Sequence, residues 1–318
     1  MRIVAVDLIF ALKIMFTATI VFSVPASLAE SWRFAMIGDV PYSDRERQEL
    51  PQMLQAIVDS HVDFIVHVGD FKHGRARCDD ALFADRHTLF DAVSVPFIFV
   101  PGDNEWTDCE RASNGSYDPE ERLSALRRLF WSTEDSLGKN RLRLSRQAPE
   151  TPENARFRMG PILFVTLNLP GGNNNRGLAE TPRKEFQARN PKVLAWVKES
   201  FALARQEGLR GIVLFFQANP GFRQHAEGLA QSGYRDFLDL LEQETRRFAG
   251  QVVAVHGDTH HSRIDHPLED GRGRALPNFT RVETFGYPRM GWTRGIVDTA
   301  APELFRFEAT AWPPLLHQ

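Results

Sequence analysis

Phe64-Ile65-Val66-His67-Val68-Gly69-Asp70 is a short apolar run that stops on an acidic turn. Short runs rich in β-branched and aromatic residues, bounded by turn residues, read as buried parallel strands, which puts this carboxylate at a strand end. The pattern recurs outward in both directions. Residues 32–37 lead into Gly38-Asp39-Val40-Pro41, and 97–100 into Pro101-Gly102-Asp103-Asn104-Glu105. Residues 211–216 lead into Gln217-Ala218-Asn219-Pro220, and 252–255 reach Gly257-Asp258-Thr259-His260. In a parallel sheet with right-handed crossovers every carboxyl end lies on one edge, so Asp39, Asp70, Asp103 and Asp258 are expected to meet in one cleft. A lone Gly-Asp is ordinary turn chemistry. An ordered set behind successive strands is not accounted for that way.

Such a cleft has an electrostatic consequence. Unit charges ~4 Å apart repel by about 4 kcal/mol at an effective dielectric of 20, and four carboxylates make about six pairs. Net stability is only about 5–15 kcal/mol, so the cluster asks for bound divalent cations at neutral pH.

Composition sets the outer bounds. The 318 residues are 42% hydrophobic and 25% charged, with a formal charge of -3; this suits a globular chain with a sizeable core and gives no basic footprint for nucleic acid. Residues 1–29 read as a secretory signal, with Arg2 near the start, an apolar stretch over 14–24, Pro25 and the small-residue site Ser27-Leu28-Ala29. Cleavage near Ala29 is expected, leaving one domain over 30–318 in the periplasm or outside the cell. An uncleaved anchor is the rival, but Asp7 and Lys13 interrupt the run, and the remainder falls short of the ~20 apolar residues of a span. Export gives the two cysteines, Cys78 and Cys109, an oxidising compartment in which to pair. Each follows an acidic turn, so a bridge would tie the Asp70 loop to the Asp103 loop and stabilise by ~3 kcal/mol. Two unpaired thiols are the alternative.

Helix signals alternate with the strands. Asp118-Pro119-Glu120-Glu121 has an N-cap, a first-turn proline and a glutamate three residues after the cap, followed by Leu123, Leu126 and Phe130 at helical spacing. A shorter helix around residues 54–58 is expected to start at Pro51. Leu194, Val197, Phe201 and Ala204 form one stripe, and Tyr234, Phe237, Leu241, Thr245 and Phe248 another. From residue 156 onward, hairpin-like runs (155–159 with 162–167, and 279–285 with 291–297) imply a second, more antiparallel sheet.

The order of the acidic motifs resembles the calcineurin-like metallophosphoesterases, whose pattern is D-x-H, G-D-x-x-D, G-N-H-[DE], a later histidine and G-H-x-H. The resemblance spans nearly the whole chain after the leader. It implies an α/β fold of four layers, αββα, with two mixed sheets packed face to face between flanking helices. It also implies two divalent ions that share Asp70, with Asp39 and His260 on the first and Asp103, Gln217 and Asp258 on the second. Four family histidines are replaced here, by Pro41, Asn104, Gln217 and Asp258, and Asp103 stands in place of an asparagine. This oxygen-rich set favours hard ions, manganese or magnesium first, with calcium, iron and zinc open. His73 lies three residues after Asp70, where the purple acid phosphatases, which also lack the first histidine, carry a ligating tyrosine. An exposed loop histidine is the other reading.

The implied activity is hydrolysis of small-molecule phosphate esters by a water that the two ions activate, with Asp70 fixing the pair. Asn104 takes the family's general-acid position, but an amide cannot release a proton, so Glu105 or a water is the candidate donor. Asn173, Arg176, Lys72 and Arg263 are candidate phosphate contacts, set against plain turn chemistry and solvated charge. Tyr42 and Trp106 either stack an aromatic leaving group or wall the cleft. No nucleic-acid partner and no stable membrane span are expected. The missing histidines also admit a different class of function: a metal-binding protein on the same fold that recognises phosphate or sugar without turnover.

Overall fold

The structure is a computed structural model that describes residues 30–181, 183–229 and 233–313; the leader expected over 1–29 lies outside the described residues. The five apolar runs fold as the strands β1 (Ser31–Ile37), β2 (Phe64–His67), β3 (Phe97–Phe99), β7 (Gly211–Phe215) and β8 (Gln251–His256). The others are β4 (Ser145–Arg146), β5 (Ala155–Met159), β6 (Ile162–Thr166), β9 (Arg263–Asp265), β10 (Phe279–Glu283), β11 (Met290–Asp298) and β12 (Phe305–Trp312). They form two sheets, in the orders β12-β11-β1-β2-β3 and β4-β5-β6-β7-β8-β10-β9. Within the first, β1, β2 and β3 are parallel, and β11 runs antiparallel to β1. In the second, β6, β7, β8 and β10 are parallel, with β5 and β9 antiparallel beside them.

Side chains alternate across each strand, so each sheet has two apolar faces to cover. Phe34 and Met36 of β1 and Phe64 and Val66 of β2 meet Phe164, Phe215, Val253 and Val255 of the opposite sheet in one buried cluster. Ala35, Ile37 and Ile65 face the other way, onto the helices α1 (Asp44–Asp59), α2 (Asp80–Asp91) and α3 (Pro119–Phe130). The far side of the second sheet is covered by α4 (Lys184–Gln206) and α5 (Arg235–Arg247), through Val193, Val197, Phe201, Phe237 and Leu241. The layers therefore run helix, sheet, sheet, helix.

Four expectations need correcting. The five acidic turns do not share one sheet: Asp39, Asp70 and Asp103 follow strands of the first, Gln217 and Asp258 strands of the second. The second sheet is mixed, with a parallel centre, because helical crossovers separate β6, β7 and β8. The runs at 279–285 and 291–297 are not a hairpin: β10 pairs with β8 and β9, whereas β11 crosses to the first sheet and pairs with β1 and β12. Finally, α1 starts seven residues before Pro51, with Ser43 as N-cap accepting from Glu46 N–H, and carries the proline in its interior. Burial of Leu50, Met53, Leu54 and Ile57 offsets the lost hydrogen bond.

Candidate active site

At the strand ends the backbone turns through the left-handed region. Asp39 has φ 52°, Asp70 φ 60°, Asp258 φ 78° and His260 φ 59°. Non-glycine residues adopt this conformation at a cost, tolerated best by Asp and Asn, and such strain gathers at functional sites. Glycines let the loops press against these carboxylates. A Cβ on Gly102 would lie 2.0 Å from Asp70 Oδ1, and one on Gly257 2.2 Å from Asp39 Oδ2.

The turns of both sheets converge. Asp258 N–H donates to both oxygens of Asp39 at 3.1 Å, joining the first sheet to the second. Asp70 Oδ1 accepts from Asn104 N–H at 3.1 Å. Its Oδ2 accepts from Asn104 Nδ2 at 2.9 Å, Tyr42 Oη at 3.0 Å and Gln217 Nε2 at 3.2 Å. Asp258 Oδ2 accepts from Asn219 N–H at 2.9 Å. Asp103 packs on Gly171, where a Cβ would come within 2.7 Å of its Oδ2.

Charge is poorly compensated here. Burial, then the charges of Asp103, Glu105, Asp39 and Asp258, hold the Asp70 carboxyl well above the usual carboxylate range. Asp103 is raised by burial and then by Asp258, Asp108 and Glu105. Burial pushes Asp258 up to about 6 against the opposing hydrogen bond from Asn219, and raises Asp39 against the attraction of His260. His260 Nε2 lies 3.5 Å from Asp39 Oδ1, and this contact raises the imidazole.

The other expected site residues divide sharply. Glu105 is buried with both oxygens spent, Oε2 on Gly102 N–H at 2.9 Å and Oε1 on Phe71 N–H, so it clamps the two loops and has no route to a leaving group. Gln217 is turned the wrong way for a ligand: its Oε1 accepts from Gly171 N–H at 2.5 Å, which aims the NH₂ at Asp70. His73 accepts from Arg75 N–H through Nδ1 at 3.0 Å, so the neutral ring carries its proton on Nε2 and offers an ion no free lone pair. Lys72 is buried and donates to the carbonyls of Ala76 and His73 rather than to a carboxylate, although its charge is felt by Glu105 and Asp70. Arg263 pairs with buried Glu283, which also accepts from Thr259 Oγ1 and His261 N–H and so steadies the fifth turn. Arg176 folds back on the carbonyls of Ala179 and Glu180. Asn173 bonds Gly233 N–H and Gly177 O, and lines a cavity of about 320 Å³ with Asn219, Gln224, Tyr234 and Asp258. Trp106 is fully buried and so cannot stack on a ligand. Cys78 and Cys109 are joined, tying the Asp70 and Asp103 loops.

Two residues at the centre carry more than sequence reasoning assigned them. Tyr42 Oη touches Asp39 as well as Asp70, at 3.4 and 3.0 Å, where only its ring had a reading. His67 links the first two turns, from Val40 O to Gly69 N–H. The D-x-x-Y spacing from Asp39 was the available signal for Tyr42; nothing local marked His67.

As they stand, no three His, Cys, Asp or Glu side chains among the described residues are drawn together tightly enough to hold an ion. The donor chemistry nonetheless fits divalent cations. Among the described residues no Lys or Arg forms an ion pair with Asp39, Asp70, Asp103 or Asp258, and oxygen donors suit hard ions. His260 Nδ1 donates to Tyr287 O at 2.8 Å, the hydrogen bond that fixes a ligating imidazole and leaves the Nε2 lone pair facing Asp39. Asp39, Asp70 and His260 could hold one ion, and Asp70, Asp103 and Asp258 another.

No curated protein matches the chain. Among solved structures the fold is similar to a dimetal phosphatase from Danio rerio, at 15% identity over 84% of this chain and 95% of that one, with a TM-score of 0.50. It is also similar to purple acid phosphatase PPD1 from yellow lupin (Lupinus luteus) seeds, at 10% identity over 91% of this chain and 53% of that one, with a TM-score of 0.53. At such identities the likeness is one of fold. A family model described as calcineurin-like phosphoesterase matches residues 33–262, the span that carries all five acidic turns, and by that match the chain belongs to the calcineurin-like phosphoesterase family.

Proposed function

We propose that the chain is an exported, metal-dependent hydrolase of small phosphate esters. The observation that carries this reading is the meeting of Asp39, Asp70, Asp103 and Asp258 from both sheets without a basic partner, beside a His260 whose Nε2 lone pair faces them. Asp39, Asp70 and His260 would hold one divalent ion and Asp70, Asp103 and Asp258 the second, manganese or magnesium by the hardness of the donors. Bound, the ions supply a Lewis acid for a phosphoryl oxygen and a water acidified for attack. Asn104 orients Asp70 through N–H and Nδ2. Asn219 and Glu283 hold the Asp258 turn, and Glu105 and the disulfide hold the Asp70 and Asp103 turns together.

Neither Asn104 nor sealed Glu105 can protonate a departing alcohol, so aryl esters, whose leaving groups need no proton, are the favoured substrates. The cavity beside Asp258 is placed for the leaving group. Residues 30–318 act as one domain, since β9 and β10 complete the second sheet and β11 and β12 the first. Export to the periplasm or beyond is supported by the disulfide; among the described residues no helix is long and apolar enough to cross a membrane.

The test is metal content after purification, followed by turnover of nitrophenyl phosphate monoester and diester with added manganese or magnesium. Turnover above an Asp70→Asn control is expected, with alkyl esters slower than aryl. One observation favours the non-catalytic reading: Asn104 and Gln217, in histidine positions, present N–H groups to Asp70. Bound metal with no ester turned over across a wide pH range would transfer the assignment to a metal- and phosphate- or sugar-binding protein.

A further inference from the structure

We propose that Tyr42 Oη is the fourth protein donor of the first ion, in place of the histidine that this chain lacks after Asp39; this rests on the ion-binding reading above. Asp39, Asp70 and His260 give that ion three donors. Tyr42 Oη lies 3.0 Å from Asp70 Oδ2 and 3.4 Å from Asp39 Oδ1, between the two carboxylates the ion would share. The hydroxyl has one proton for two carboxylate oxygens. Asn104 Nδ2, at 3.0 Å, also faces Asp70 Oδ2 and Lys72 O, three acceptors for two hydrogens, so Tyr42 Oη keeps a lone pair for a cation. With both carboxylates ionised, the Asp39 and Asp70 contacts cannot both hold a hydrogen, and a cation among the three oxygens resolves that mismatch.

The position is built rather than incidental. Tyr42 N–H donates to Glu46 Oε2 at 2.6 Å, and Glu46 N–H is itself capped by Ser43 Oγ at 3.3 Å, so the start of α1 fixes the tyrosine backbone. Its ring is held edge-on by His260 at 5.3 Å and His73 at 5.6 Å and stacked on Tyr287 at 6.1 Å between centroids. His73 therefore serves as a wall for Tyr42, not as a ligand.

The experiment is calorimetric titration of Mn²⁺ into the chelator-stripped full chain, for wild type, Tyr42→Phe and Asp70→Asn. Phenylalanine keeps the ring contacts, and an unchanged metal-free melting midpoint marks a folded variant. Wild type is expected to bind two ions; Tyr42→Phe keeps one and binds the other at least about 10-fold more weakly, since losing even an outer-sphere partner of a ligand costs about 10–100-fold. A spectroscopic readout independent of affinity comes from Fe³⁺: a tyrosine oxygen bound to Fe³⁺ absorbs in the visible, which carboxylate and imidazole ligands do not. The band is expected in wild type and absent in Tyr42→Phe. Two ions bound equally well by wild type and Tyr42→Phe, with no Fe³⁺ band, overturns the Tyr42 assignment and leaves the ion reading intact. No ion bound by wild type overturns both.

Discussion

One imidazole, His67, holds two acidic turns in register. Its Nδ1 accepts from Gly69 N–H at 3.1 Å, so its Nε2 carries the proton and donates to Val40 O at 2.7 Å. Burial lowers this histidine from 6.5 to about 4. Between those values the unfolded chain binds a proton that the native protein does not, so stability rises with pH across the window. The contribution, about 3 kcal/mol from the size of the shift, is full above 6.5 and lost as pH falls towards 4. Between pH 6.5 and 4 the wild-type urea midpoint should therefore fall more steeply than that of His67→Gln. Glu105 invites the opposite kind of test. Glutamine in its place loses one of two acceptors for buried N–H groups, which costs about 1–3 kcal/mol in urea unfolding. The aryl-to-alkyl rate ratio should stay unchanged, whereas a general acid would lose alkyl turnover selectively. At this scale the sequence was readable for the aspartates, which sit directly behind strands, and unreadable for Gln217. Which end of its amide faces Asp70 depends on Gly171 N–H, 46 residues away.

Helix α3 was legible from its first four residues. Asp118 accepts from Glu120 N–H at 2.8 Å and Glu121 N–H at 3.1 Å, as its cap signature requires. Asp118→Ala should cost about 1 kcal/mol of stability by chemical denaturation with no change in KM, since α3 packs behind β3 and away from the cleft. Helix α1 carries an equivalent signature, Ser43-Asp44-Arg45-Glu46, upstream of the Pro51 at which its start was expected. A proline marks a preferred first turn; it does not forbid an interior position when the apolar stripe on either side is buried. The pairing of β10 and β11 failed for another reason. Alternation of period two says that a segment is a strand and which face is apolar, but nothing about its partner. The short connection between them suggested a hairpin, whereas both sheets had an unfilled neighbour position that outcompeted it.

Across the molecule, the fold depends on two sheets presenting their carboxyl ends to one cleft, and the disulfide is the covalent tie nearest that junction. Cys78 and Cys109 enclose a separation of 31 residues, for which loop-closure entropy gives about 3–4 kcal/mol. Reduction should lower the melting midpoint and, since both loops carry site aspartates, weaken Mn²⁺ binding measured by calorimetry. A drop in stability without loss of ion affinity would separate the bridge from the site. The four-layer fold was expected only through the family resemblance that the five turns carry; the turns read by themselves gave one sheet, since parallel strands of either sheet look alike in sequence.

The antiparallel pairing of β1 with β11 carries a timing consequence for biosynthesis. Residues 31–36 meet partners at 293–298, so the strand that delivers Asp39 keeps one row of backbone N–H and C=O groups unpaired until those residues have been made. The first sheet cannot close before residues 293–298 have left the ribosome. The nascent chain thus waits with a sticky margin exposed, a stage at which a holdase, or prompt translocation in an extended state, protects it from intermolecular pairing.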